Sequence, residues 1–353
     1  MSIDQLVSAA AKLVDDGATP ACQLAVAKDR ELLCFETFGD ATNDTRFAVF
    51  SATKPITASA IWLLIGDGVL DITKPVAHYI PEFASNGKEV VTVEQVLLHT
   101  AGFPNAPMDP VDGADPVMRV KQFTNWDLEW EPGSRFEYHS GSAHWVLAEI
   151  IERLSGDADF RDVIEARLCD PLGLPRLLGI PEEEQDDIAL GIRSGAPGEL
   201  SPPGSMDPTR NNEPAVRAAG VPGGGGIMTA ATLAQFYQAL LHNPGGLWDD
   251  NVLTDAKTNI RCTYPEPMLN VAVNRSIGLV IAGDDGMHQL RYAMFGKNCS
   301  PRAFGHTGVY TQIAWADPET GISFAFLKNG LEADVLADAV RVMPLSDIAA
   351  SLS

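Results

Sequence analysis

The chain has 353 residues, 45% hydrophobic and 20% charged, a composition that can bury a sizeable core as one large domain or two interleaved ones. Its 25 basic and 47 acidic residues leave a formal net charge of −22, which repels phosphate backbones and anionic lipid and argues against nucleic acid and membrane surfaces as partners. Cys22, Cys34, Cys169, Cys262 and Cys299 are odd in number and lack metal-ligand spacing, and the N-terminus lacks a basic-then-apolar leader. Both features point to reduced thiols and a cytoplasmic location, with no metal site.

Taken in order, the first dozen residues have the spacing of an amphipathic helix. Residues 22–28 and 32–38, joined by Asp29-Arg30, predict a β-hairpin. A polar loop over 39–45 leads to Arg46-Phe-Ala-Val-Phe-Ser-Ala-Thr-Lys-Pro55 and an apolar helix that stops at Gly66-Asp67-Gly68. Its apolar run, residues 56–65, is too short to span a bilayer. Thr92-Val-Glu-Gln95 reads as a capping box ahead of a short helix running into His99-Thr-Ala-Gly102. Arg135–Ser140 is an extended piece, followed by helices over 143–154 and 160–168. Residues 191–226 form a long Gly/Pro-rich connection, followed by a helix over 230–241. Residues 309–316 and 322–327 predict a second hairpin, and a closing helix over 332–343 is expected to stop at Pro344. Hairpins and helices at both ends imply an α/β (α+β) fold, an antiparallel sheet built from both termini and flanked by helices. Residues 1–60 and 290–353 would form that sheet domain, and 61–289 an inserted, mostly helical one with long loops.

Ser51 and Lys54 stand three residues apart, one turn apart on the same helix face. A serine near a helix N-terminus can be a nucleophile, and an amine beside it, partly buried and facing the dipole's positive end, is discouraged from holding its proton. The same pattern also fits a capping serine with a snorkelling lysine. A second match, Ser85-Asn-Gly-Lys88, lies in a polar segment and reads as a solvated loop.

Three elements in order give the pattern its specificity: Ser51-x-x-Lys54, then Tyr138-His-Ser140, then His306-Thr-Gly308 beside a predicted strand. Together they resemble the penicillin-recognising serine hydrolases, a group that includes class C β-lactamases, DD-peptidases and β-lactamase-like esterases. Leu97–Gly102 and Glu131-Pro-Gly133 share that look, and the resemblance covers about residues 5–340.

The resemblance implies that Ser51 is acylated, Lys54 takes or relays its proton, and Tyr138 is the second proton-transfer group. A free tyrosine ionises near pH 10, so a basic Tyr138 calls for a neighbouring cation, supplied in this reading by Lys54. The backbone N–H groups of Ser51 and Val309 would hold the oxyanion, and Ser140, His306, Thr307 and Gly308 would line the substrate. His306 stands where the family usually has a lysine, and Ser140 where it usually has an asparagine. Both changes weaken recognition of an amide flanked by a carboxylate and favour a small neutral carboxylic ester, with no cofactor. The alternatives are a β-lactamase, a D-aminopeptidase- or DD-peptidase-like amidase, an acyltransferase, or an inactive binding module of the same fold. Oligomeric state is not legible in the sequence.

The remaining candidates have blander readings. His99, His139 and His144 are expected to be structural, and Gly223–Gly226 a flexible hinge. Phe123, Trp126, Trp130 and Tyr310 suit core packing at least as well as an acyl pocket. Glu182–Asp187 reads as a solvated acidic face.

Overall fold

A computed structural model describes residues 1–194, 207–291 and 295–352. Helix α1 (Ile3–Asp15) is capped by Ser2 and Gln5 in a reciprocal capping box. Strands β1 (Ala21–Lys28) and β2 (Glu31–Gly39) form the predicted hairpin, with Asp29 and Arg30 both at positive φ in the turn. Helix α2 (Lys54–Gly66), α3 (Ser142–Leu154) and α4 (Ala230–His242) follow. The short strands β3 (Val280–Ile281) and β4 (Phe304–Gly305), then β5 (Ile313–Asp317), β6 (Ile322–Lys328) and helix α5 (Val335–Ala349), complete the frame.

The six strands form one antiparallel sheet in the order β2-β1-β6-β5-β4-β3, so the two ends of the chain pair directly, Ala25 opposite Ala325. One face carries α1 and α5 over a core that includes Leu6, Ala10, Trp315, Phe324 and Leu345. The other face carries α4 and joins the larger core around α2 and α3. Helix α2 is apolar all round and buried from Lys54 to Leu64, so packing holds it rather than a surface stripe. Trp62 anchors it: the buried ring donates through Nε1 to the Ile277 carbonyl at 2.8 Å, and burying such a side chain is worth roughly 1.5–3 kcal/mol. Among the described residues no helix is long and apolar enough to cross a membrane.

The sheet from both termini matches the sequence reading, whereas several boundaries move. Strand β3 and helix α4 come from the 61–289 segment yet belong to the sheet layer. The strand expected over 309–316 begins only at Ile313, because residues 308–312 form a turn closed by a Gly308–Gln312 bridge. Helix α5 runs through Pro344 instead of stopping there. A mid-helix proline costs about 3 kcal/mol, but Leu345 and Ala349 beyond it are buried against the sheet, and Ser346 Oγ accepts from Trp315 Nε1 at 2.8 Å. Within the 191–226 connection, residues 195–206 lie outside the described residues.

Candidate active site

Ser51 lies in a 3-10 turn, Phe50–Thr53, that runs straight into α2. Its half-buried side chain follows Phe50, whose φ of 46° is left-handed, a conformation that costs a non-glycine residue about 1–3 kcal/mol. Two neighbours hold this bend. Residues 47–48 pair antiparallel with 227–228, and the Gly226 N–H donates to Thr53 Oγ1 at 2.8 Å while its carbonyl accepts from Val49.

Lys54 is fully buried. Its Nζ lies 3.2 Å from Ser51 Oγ and donates to the carbonyls of Ser140 at 3.0 Å and Gly223 at 2.7 Å. Two positions on the nitrogen are therefore fixed by carbonyls, and the rest faces the Ser51 oxygen and the Tyr138 side chain. Burial pulls the Lys54 pKa below its ordinary value, opposed by Tyr138 and reinforced by Arg275. An amine in this setting can hold its lone pair toward Ser51.

Tyr138 stands beside Lys54, whose Nζ lies 5.0 Å from its ring centroid. The 97–102 segment positions it. Glu137 N–H donates to the His99 carbonyl at 3.2 Å and His139 N–H to His99 Nδ1 at 3.1 Å, which straddle Tyr138, and the His99 ring lies 4.7 Å from the tyrosine ring. His139 points away, donating from Nδ1 to Glu137 O and accepting at Nε2 from Phe103 N–H.

His306 closes the opposite side, its ring 6.1 Å from Tyr138. Nδ1 donates to the Thr307 carbonyl at 2.7 Å, leaving Nε2 to accept from Arg275 Nη1 at 3.4 Å. Burial first, and then the Arg275 and Lys54 charges, hold His306 well below the usual histidine pKa, so the imidazole is neutral. At Gly308 an added Cβ would fall 2.2 Å from the Val49 carbonyl, so only glycine lets this turn lie against the loop that carries Ser51. Val309 follows directly and is half-buried. The fold thus brings Ser51, Lys54, Tyr138 and Ser140 into one cluster with His306, and sets Thr307, Gly308 and Val309 along its edge. Among the described residues no three His, Cys, Asp or Glu side chains are placed to hold a metal ion.

Residues 5–344 match the family model named Beta-lactamase. The chain belongs to the Beta-lactamase family. It is 29% identical over 321 residues to the esterase/beta-lactamase LipL of Mycobacterium tuberculosis, across 82% of this chain and 70% of that protein. Among solved structures it resembles a penicillin-binding protein homologue from Caulobacter crescentus, with a TM-score of 0.79 at 25% identity over 98% of this chain and 97% of that one. A family VIII carboxylesterase has the same fold, with a TM-score of 0.79 at 23% identity over 97% and 96% of the two chains.

Arg275 is the residue of this Beta-lactamase-family site that the motifs did not flag. It is buried, with its guanidinium carbon 5.0 Å from the Tyr138 ring centroid and 5.4 Å from that of Phe136. It sits in no motif, and no local pattern marks it. The only signal was the improbability of a lone arginine in the apolar run around Val271–Val280.

Two minor readings are corrected and a third holds. Gly223, Gly225 and Gly226 are packed closely rather than free as in a hinge: a Cβ at Gly225 or Gly226 would fall 2.5 or 2.7 Å from the nearest atom, and only Gly224 of the run faces open space. Lys88 is buried rather than solvated, bonded to the carbonyls of Ser85 and Trp126 and to Ser85 Oγ, which in turn donates to Thr124 O. The acidic 182–187 face is solvated as expected, with Glu182, Glu183, Glu184, Asp186 and Asp187 all exposed, and Asp187 pairs with Arg46 Nε at 2.7 Å.

Proposed function

We propose that this chain is a serine hydrolase cleaving small carboxylic esters through an acyl-enzyme on Ser51. The observation that carries the reading is Lys54, a fully buried amine with two positions fixed by carbonyls and the rest turned to Ser51 Oγ and Tyr138. Ser51 Oγ attacks the ester carbonyl carbon while its proton passes to Lys54, which relays it to Tyr138. The Ser51 and Val309 N–H groups receive the oxyanion. Collapse breaks the bond to the leaving alcohol, which takes the proton from Tyr138. Water then attacks the acyl-enzyme with its proton going to the same groups, and the acid leaves as Ser51 regains its hydrogen. Arg275 bears on Tyr138 throughout and Lys54 adds its charge once it has taken the serine proton, so the phenol faces positive charge while it handles the proton.

The preference for esters rests on His306 and Ser140. A neutral imidazole offers a substrate carboxylate no fixed charge, and Ser140 offers a single short hydroxyl in place of an amide. The relatives named as esterases lean the same way. Arg275 favours a second reading, an amide or peptide with a carboxylate near the scissile bond, since it supplies a permanent charge 3.4 Å from His306 Nε2.

Turnover of short nitrophenyl esters, a chromogenic cephalosporin and an acyl-D-alanyl-D-alanine peptide, measured side by side, separates the two. The ester should lead in kcat/KM by at least about tenfold, equivalent to roughly 1.4 kcal/mol. A lead for either carboxylate-bearing substrate contradicts the esterase reading.

A further inference from the structure

Between Gly308 and Gln312 the chain turns through two consecutive left-handed residues, Tyr310 (φ 61°) and Thr311 (φ 59°). A β-branched residue is a steric outlier there, because its Cβ crowds the neighbouring backbone. Such a turn persists only where its surroundings over-determine it. Gly308 N–H donates to Gln312 O at 2.9 Å. The buried Gln312 amide donates to the carbonyls of Tyr310 at 3.2 Å and Lys328 at 3.0 Å and accepts from Lys328 N–H at 3.0 Å. The remaining tie comes from the C-terminal helix: Thr311 Oγ1 donates to Asp338 Oδ2 at 2.8 Å.

Asp338 lies in the first turns of α5. Lys328 Nζ stands 3.0 Å from the same Oδ2 and donates to Gly330 O at 2.7 Å, and both ionic side chains are only 2% exposed. A buried ion pair therefore ends on one hydroxyl of the strained turn. On the turn's other side, the Tyr310 ring packs edge-on against Phe50, centroids 5.6 Å apart, and Phe50 is itself left-handed and adjoins Ser51. The turn is wedged between the nucleophile's loop and α5.

We propose that Asp338 is a positioning residue for acyl transfer: through Thr311 Oγ1 it holds the 308–312 turn in the conformation that presents the Val309 N–H to the oxyanion. The inference rests on the reading above, in which Val309 supplies the second donor. A buried ion pair is by itself weak grounds for a stabilising role, since apolar residues of similar volume often do as well. Here the pair bonds Thr311, the β-branched member of the turn's two left-handed residues. Removing a single oxyanion donor lowers kcat by about 10²–10³-fold, so letting one drift should forfeit part of that.

The test compares Thr311→Val, Thr311→Ser and the paired replacement Lys328→Met/Asp338→Leu. Its readouts are kcat and KM on a short nitrophenyl ester, the rate of Ser51 labelling by a fluorophosphonate, and Tm. Thr311→Val should lower kcat and the labelling rate by about 10–100-fold with KM within about twofold. Thr311→Ser, which keeps the hydroxyl, should stay within about threefold of the parent. The paired replacement removes both members of the ion pair and leaves the buried Glu332 facing Arg341, so it gives a second route to the answer if Thr311→Val does not fold. It should reproduce the Thr311→Val loss, and adding Thr311→Val to it should cost nothing more. A folded Thr311→Val or paired variant with parental kcat and labelling rate overturns the proposal, as do additive losses. A parent protein that is not labelled on Ser51 refutes the acyl-enzyme reading itself and this role with it. Normal parental labelling with an unaffected variant refutes the positioning role alone.

Discussion

The Gly223 carbonyl accepts from Lys54 Nζ at 2.7 Å, and a Cβ on Gly223 would stand 3.2 Å from both that nitrogen and His144 Cβ. The glycine wall therefore sets where the amine sits. Gly223→Ala should push Lys54 off Ser51 and lower kcat by about tenfold, with Tm within a few degrees. Ester kinetics and thermal melting check this, and a parental kcat would show that the wall does not position the amine.

Lys54→Met keeps most of the volume but removes the amine proposed to accept the serine proton. General-base catalysis contributes about 10²–10⁴-fold, and kcat/KM on the ester should fall by that amount. In the parent, the low-pH limb of the rate profile should lie below the 10.5 of a free lysine, because burial favours the neutral amine. That limb should be missing from the residual activity of the variant. A limb that persists unchanged would assign it to another group.

Four histidines surround the site as buried neutral rings. Burial is the leading cause that holds His99, His144 and His306 well below the ordinary value and His139 at about 3. The unfolded chain takes up these protons near pH 6.5 and the native one does not. Their contribution to stability is therefore complete above about pH 6.5 and lost as pH falls toward the folded values. Each should cost about 1.4 kcal/mol per pH unit in that window. Urea unfolding at about pH 7.5 and 5.5 should show a drop of several kcal/mol, reduced by roughly 1.4 kcal/mol in His139→Gln. Equal stability at the two values would contradict neutral burial.

Ser85 and Lys88 imitate the Ser51–Lys54 spacing, down to two carbonyls on the amine. Ser85 Oγ, however, donates to Thr124 O, and the pair ties a loop to residues 124–126. Ser85→Ala should keep kcat within about twofold and lose about 1 kcal/mol of stability. A large loss of activity in a folded variant would give Ser85 a chemical role that this account denies.

Much of the frame was legible because local and global signals agree. The Asp29-Arg30 turn, the Thr92 capping box and the all-apolar α2 each dictate their structure over a few residues. Ser51, Lys54, Tyr138 and His306 were legible as motifs. What escaped depends on tertiary contact. Pro344 stays helical because Leu345 and Ala349 are buried, and Lys88 is buried because Trp126 and Ser85 supply carbonyls. Arg275 reaches Tyr138 across a long sequence separation with no periodic mark, and Gly223–Gly226 gave no sign that close contact, not freedom, called for glycine.

The central claim is the covalent intermediate. Intact-mass and peptide mapping after acid-quenching a short nitrophenyl ester reaction should place one acyl group on the peptide bearing Ser51, and Ser51→Ala should carry none. An adduct on Ser85, or stoichiometric acylation of Ser51→Ala, would contradict the account.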